Sequence, residues 1–319
     1  PPRSTLFPYT TLFRSYDDTY QDMPLSTEYN QIHIPGANAR GTNYVATSDR
    51  VYIIEDNACR VLDPRTGQDV RTIHLPPDQT SEEPLQWGYI GVYEDYLIAG
   101  AGLVSYMDFI QIDPATAKKR LPFYNLDTNS SKTLVVMNRY TGEVVWTYRS
   151  ERGLRHNAIV AGNGKLFCID KMPDLAEQTL KRRGMASSGA SRLLAFDIHN
   201  GQRLWFEDEE VFGSWLSYSE DEDILIEAVR NSRDMVVGEP REKLAGYRGS
   251  TGAALWIHDA TYGGPCILHG QTIITEPYAF DLLTGKQKMR QNPLTGEEIP
   301  WNYTRQYGCN YAIASEYMM

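Results

Sequence analysis

The chain has 319 residues, with 31 basic and 41 acidic side chains (net charge −10), 41% hydrophobic and 11% aromatic residues. Its 25 Gly and 17 Pro are too few for a collagen or a Pro/Gly low-complexity tract, and its apolar and aromatic content is too high for a disordered chain. The acidic balance and the lack of a long basic run argue against a nucleic-acid or anionic-membrane surface, and no uncharged apolar run reaches the roughly 18 residues a membrane span needs.

The first stretch, residues 1–15 (PPRSTLFPYTTLFRS), has no Met start, no apolar signal-peptide core and no small-residue cleavage site. It resembles the conceptual translation of a sequencing adapter. It is set aside as an artefact or a disordered tail, with 16–43 as an entry segment. On that reading the natural start is lost, and the absence of a signal peptide says nothing about location.

From residue 44 onward the chain repeats. A hairpin signal comes first in each unit: Tyr44–Ile54, Tyr89–Ile98, Ala158–Phe167, Leu216–Ile226, Cys266–Ile274 and Asn310–Met318. Apolar and polar residues alternate on both arms, as half-buried strands require, and Asn163-Gly164 at one tip is a strong hairpin-turn signal. A third strand and a turn ending in Gly follow: Asp63–Gly67, Asn138–Gly142, Asp197–Gly201, Arg248–Gly252 and Asp281–Gly285. Asp or Asn opening such a turn bonds its own backbone, and Gly67, Gly142, Gly201, Gly252 and Gly285 supply a positive φ. Four residues past the Gly stands Trp146, Trp205 or Trp256, with Arg71 and Met289 at that place in the first and last copies.

Each unit is therefore hairpin, strand, turn, strand, with hairpins starting 44 to 69 residues apart. Four strands at that period signal propeller blades packed around a channel. The expected fold is all-β: a partial β-propeller of four-stranded blades, five plus a fraction of a sixth, truncated at one or both ends. Blade bounds fall near 44–87, 88–155, 156–213, 214–262 and 263–306, with 307–319 a partial sixth. The three Trp and five Gly are the expected structural anchors between blades.

Two insertions interrupt the period. Leu103–Ser131 is polar and reads as a long loop. Pro173–Arg183, with Pro at its start and Gly184 after its end, reads as a short helix whose Lys181, Arg182 and Arg183 complement its C-terminal dipole. Four dispersed cysteines, Cys59, Cys168, Cys266 and Cys309, contain no CxxC and no adjacent pair. They allow three pairings, and small buried thiols are the expected reading. The acidic runs Glu207–Glu210 and Glu220–Asp223 lack an EF-hand pattern and read as solvated turns; the six His lack metal-ligand spacing, so no metal site is expected.

The Gly turn with Trp four residues on resembles the repeat of the PQQ-like β-propellers, a superfamily holding quinoprotein dehydrogenases and the non-catalytic propeller of outer-membrane protein assembly. Further segments resemble large PQQ-like propeller proteins of planctomycete-type bacteria: Met23–Asn30, Pro35–Asn43, His156-Asn157 with Ala161–Lys165, Gly264–His269, Asn292–Gly296 and Tyr307–Asn310. The resemblance spans about Asp18 to Met319. Catalytic members typically carry an adjacent Cys-Cys pair, a Ca²⁺ held by Glu and Asn, and an Asp base; this chain has no Cys-Cys pair.

One constellation stands out by position. In propellers the first strand of each blade lines the channel, and the segments entering those strands form one rim. They carry Arg40 and Asn43, then Trp87, then Arg155, His156 and Asn157, then Trp215 and Cys266. Tyr307, Cys309 and Asn310 complete the set. Aromatic and polar residues converging from several blades are the candidate ligand or partner surface. Bulky channel plugs are the competing reading, and a Cys266–Cys309 disulfide stays open.

The expectation is a non-catalytic binding or scaffold propeller of the bacterial cell envelope, periplasmic or secreted by resemblance, with no cofactor. Its partner is a protein or small molecule at a rim, together with missing blades of the same chain, and neither nucleic acid nor a membrane span. The alternatives are a fragment of a PQQ-dependent oxidoreductase with Ca²⁺, or a propeller fused to a separate catalytic domain.

Overall fold

A computed structural model describes residues 44–55, 57–77, 85–104, 130–172, 177–178, 181–182, 184, 190–229 and 242–302. The sixth unit, the entry segment, most of the Leu103–Ser131 insertion and most of the Pro173–Arg183 segment lie outside these residues; residues 177–178 and 181–182 of the latter are helical.

Blade 1 is a four-stranded antiparallel sheet of β1 (Tyr44–Ala46), β2 (Val51–Glu55), β3 (Ala58–Leu62) and β4 (Asp69–His74), in sequence order. Blades 2 and 3 share a seven-stranded sheet because one strand serves both. Blade 2 contributes β5 (Trp87–Tyr93), β6 (Tyr96–Leu103) and β7 (Ser130–Asn138). β8 runs from Val144 to Gly162: its first half pairs with β7, and its second half pairs with β9 (Lys165–Asp170) as the first strand of blade 3. The expected boundary at 155/156 falls inside this continuous strand. β10 (Arg192–Asp197) and β11 (Arg203–Glu207) complete blade 3. Blade 4 is β12 (Trp215–Ser219), β13 (Ile224–Ala228), β14 (Leu244–Arg248) and β15 (Ala254–His258).

Blade 5 departs from the pattern. β16 (Gly263–His269), β17 (Thr272–Glu276) and β18 (Ala279–Asp281) form a regular sheet, but the fourth strand survives only around Gln287 and Lys288. There the chain detours into a hairpin, β19 (Met289–Gln291) and β20 (Glu298–Pro300), before Asn302 bridges back to Tyr278. The reason is a second copy of the turn sequence: Asn292 to Gly296 closes its own turn, with the Gly296 N–H donating to the Asn292 carbonyl at 2.8 Å. Met289, at the position of the blade Trp, is accordingly exposed.

The Gly turns hold the ring together. In all six copies the Gly N–H donates to the carbonyl four residues back at 2.8 Å, and φ of the Gly lies between 66° and 79°. Where an Asx residue opens the turn, its side-chain oxygen accepts one or two amides inside it. Blade 4 opens with Arg248 instead, and Asp223 from the neighbouring hairpin supplies the oxygen, accepting the Ser250 N–H at 3.1 Å.

Each Trp then docks on the next blade's turn. The indole N–H of Trp146 donates to Ile198 O (2.7 Å), that of Trp205 to Gly249 O (2.8 Å), and that of Trp256 to Leu282 O (3.1 Å). Each ring covers the turn Gly so closely that a Cβ there would lie 2.4–2.7 Å from it. Blade 1 repeats the gesture with Arg71, whose guanidinium donates to Thr141 O at 3.0 Å, while Ile73 fills the space against Gly142. First strands neighbour one another from blade to blade (β1–β5, β5–β8, β8–β12, β12–β16), so they are innermost. Apolar clusters fill the spaces between blades 1 and 2, between 2 and 3, and from 3 through 5.

Candidate functional site

Chain direction fixes two faces. First strands start, second strands end and third strands start on one face; hairpin tips and Gly turns occupy the other. The long connections after β6, β9 and β13 therefore all leave from the entry face, together with the residues expected to form the rim.

Of the six that are described on that face, four are buried and two half-buried. Trp87 is buried between blades 1 and 2, with its indole N–H on Asn57 O at 3.3 Å. Arg155 and His156 are buried; Nε2 of His156 lies 2.8 Å from Ser131 Oγ, under Gly88. Asn157 and Trp215 are half-buried. Trp215 Nε1 donates to Cys266 O at 3.1 Å and Ser217 Oγ donates to the same oxygen at 3.0 Å, tying blade 4 to blade 5. Cys266 itself is buried beside Tyr262, and burial pushes its thiol up to about 12. The structure thus brings Trp215 to Cys266, and His156 to the strand that follows Trp87, as contacts between blades. Arg40, Asn43, Tyr307, Cys309 and Asn310 lie outside the described residues. Cys59 and Cys168 are buried and, like Cys266, unpaired with any described cysteine.

A charged network lies just beneath these entries. Asp170, closing β9, accepts the backbone N–H groups of Glu151, Arg152 and Gly153 at 2.8–2.9 Å, fixing the bend where β8 passes from blade 2 to blade 3. Glu227, near the end of β13, does the same for blade 4: it accepts the Phe212 N–H (2.8 Å), the Gly213 N–H (2.5 Å) and the Tyr247 hydroxyl (2.9 Å). A Cβ on Gly213 would stand 2.5 Å from the Glu227 chain, so only Gly permits this approach. From blade 3, Lys171 Nζ donates to Phe212 O at 2.7 Å. One peptide segment is thus gripped from two blades. Burial raises the Glu227 carboxyl above its ordinary range, against the opposing pull of the two amides, Tyr247 and Lys171. Reading the sequence did not single out these residues; the available signal was an acidic residue closing an otherwise apolar second strand, as in Leu-Phe-Cys-Ile-Asp170 and Ile-Leu-Ile-Glu227.

The outer wall differs in character. Fourth strands are sheet edges, and in blades 3 and 4 they expose large apolar side chains on both sides of the docked Trp: Leu204 (44%) and Phe206 (42%), Leu255 (40%) and Ile257 (41%). The guanidinium of Arg203 sits 4.8 Å from the Phe206 ring centroid. Exposed apolar edges are sites where another chain pairs or packs.

Among the described residues no group of three or more His, Cys, Asp or Glu is placed to hold a metal ion. The buried carboxylates Asp170 and Glu227 are occupied by backbone amides.

Inner first strands, four-stranded blades and Gly turns bearing the preceding blade's Trp define a β-propeller of the PQQ-repeat class. The chain belongs to the family described as outer membrane protein assembly factor BamB, whose profile matches residues 55–265. A search of curated proteins by sequence found no significant match. Among solved structures it is similar to BamB from Moraxella catarrhalis, with 17% identity and a TM-score of 0.41 over 75% of this chain and 56% of that one. It is also similar to a europium-containing methanol dehydrogenase (13% identity, TM-score 0.46, 80% and 51% covered). A third is the quinohemoprotein alcohol dehydrogenase from Comamonas testosteroni (12%, TM-score 0.47, 80% and 43%). The chain spans about half the length of these proteins.

Proposed function

We propose that this propeller is a non-catalytic binding module of the bacterial cell envelope that docks a protein partner. Membership of a family described as an outer membrane protein assembly factor supports the envelope compartment and a binding role. No helix of the described residues is long and apolar enough to cross a membrane. The observation that carries the docking reading is the outer wall of blades 3 and 4, where two consecutive edge strands expose Leu204, Phe206, Leu255 and Ile257. On the entry face, by contrast, the buried carboxylates Asp170 and Glu227 and the Lys171 ammonium are bonded to the chain's own backbone.

The test is site-specific photo-crosslinking in cells of the source type. A crosslinker at position 206 or 257 is expected to trap a discrete envelope protein, and one at exposed Asp69 on blade 1 is not. Phe206→Glu and Ile257→Glu are each expected to weaken that capture at least tenfold with thermal stability unchanged. Capture that ignores both substitutions overturns the docking surface. Dye reduction by the purified chain with quinone and Ca²⁺, together with a thermal shift, overturns the non-catalytic reading.

A further inference from the structure

We propose that the junction of blades 4 and 5 holds a binding pocket for a small zwitterion of amino-acid or dipeptide size. A cavity of about 470 Å³ opens there, within the range of ligand sites. Its origin is a break in the repeat. Three residues past the turn Gly, blades 1 to 4 carry an aliphatic side chain: Val70, Val145, Leu204 and Leu255. Blade 5 carries Lys288, whose Nζ donates to Thr272 Oγ1 at 2.6 Å. Thr272 alternates along β17 with Ile273, which packs in the shared core with Phe280 toward blade 4. Lys288 is therefore drawn to the opposite side of the sheet. The detour through β19 and β20 then carries away the rest of the outer strand, and Pro300 walls the space it leaves.

The lining has a floor and two poles. Phe280 is buried and Tyr278 half-buried, giving an aromatic floor. Trp256 stacks on His258 (centroids 5.6 Å apart, planes 12° apart), and His258 Nε2 meets Thr284 O at 3.0 Å, so the imidazole is held at the rim. Asp259 supplies a carboxylate and Lys286 an ammonium. Neither side chain makes a hydrogen bond or ion pair among the described residues, and they do not pair with each other across the groove. Separated, uncompensated charges of opposite sign above an aromatic floor match a ligand with an ammonium at one end, a carboxylate at the other and an apolar side chain between them. The site adjoins the end of β15, to which His258 belongs, but uses none of the four apolar side chains proposed to dock a partner.

Glycyl-phenylalanine is the probe, titrated into the full chain by calorimetry beside its N-acetylated and C-amidated forms. The free dipeptide is expected to bind, and blocking either end is expected to weaken binding about tenfold, the loss of one charge-assisted contact. Asp259→Asn should abolish the preference for the free amine, and Lys286→Met the preference for the free carboxylate. Both side chains are exposed, so far-UV spectra and melting should match the parent. No binding at millimolar concentration, equal binding of the blocked forms, or insensitivity to both charge variants would overturn the pocket.

Discussion

Glu227 is the side chain whose ionisation folding disfavours most plainly among the described carboxylates, since it is buried and its carboxyl is raised. A raised carboxyl binds its proton more tightly in the folded chain than in the unfolded one. Its stabilising contribution is therefore full below the ordinary value of about 4.3 and is lost as pH rises through the raised folded value. Glu227→Gln keeps an oxygen for the Phe212 and Gly213 amides and removes that titration. The parent is expected to melt progressively earlier than the variant as pH climbs from about 4 to 7. A melting difference that stays flat across this window would show that Glu227 does not titrate there. At the Gly turns the expectation is steeper. Gly252→Ala meets both a φ of 79° and the Trp205 ring 2.7 Å from the new Cβ. The left-handed conformation alone costs roughly 1–2 kcal/mol, so a total loss above about 2 kcal/mol in denaturant melts is expected. Gly184, also at positive φ but with open space around it, should show only the first part.

Among elements, the fourth strand and the turn it touches form the unit of assembly. Trp146 and Trp256 are each only 8% exposed and add an indole hydrogen bond to their packing. Replacing either with Ala should cost about 3–5 kcal/mol, and with Phe about 1 kcal/mol for the lost bond. Half-buried Trp205 should cost less. Unchanged denaturation midpoints for all three Ala variants would mean the blades do not depend on this contact. The hairpin tips add a second set of ties on the same face: Arg139 to Asp49, Tyr96 to His199, Asn163 to Glu220 O, and Gln271 to Glu222. The Arg139 hydrogen bond is also what holds the Asp49 carboxyl below its usual range.

These elements were legible because their physics is local. Alternation reports which strand face is buried, and Asp-x-x-x-Gly reports a turn whose Asx oxygen and positive φ lie within five residues. The entry face was less legible. Trp87, His156 and Cys266 stand at strand entries where alternation has not begun, and whether they point to the channel or between blades depends on partners such as Asn57, Ser131 and Trp215 far away in sequence. The blade 5 detour was hidden for another reason: Asn292–Gly296 satisfies the same turn chemistry as the turns that end a third strand, so the motif alone does not say which strands it joins.

For the molecule as a whole, stability should be graded around the ring. Repeats whose contacts run only to neighbours gain stability junction by junction. The junctions from blade 2 to blade 5 each carry a Trp whose N–H is bound to the next turn. At the junction of blades 1 and 2 the equivalent residue is Arg71, exposed, with Ile73 as a smaller filler against Gly142. β2 and β3 are each buried at three of five positions, whereas β9 and β10 in blade 3 are buried at five and four of six. Local opening is favoured where few apolar contacts hold a segment. Hydrogen exchange followed by mass spectrometry should therefore find the β2–β4 amides exchanging at least tenfold faster than those of β9, β10 and β13. Blade 3 has a Trp-docked junction on both sides, and Trp146→Ala removes one of them. That variant should bring blade 3 exchange toward the rate of blade 1 and leave β13 protected. Equal protection across blades 1 to 4 in the parent would mean that the ring opens as one unit, and that the Trp contacts set its overall stability rather than its gradient.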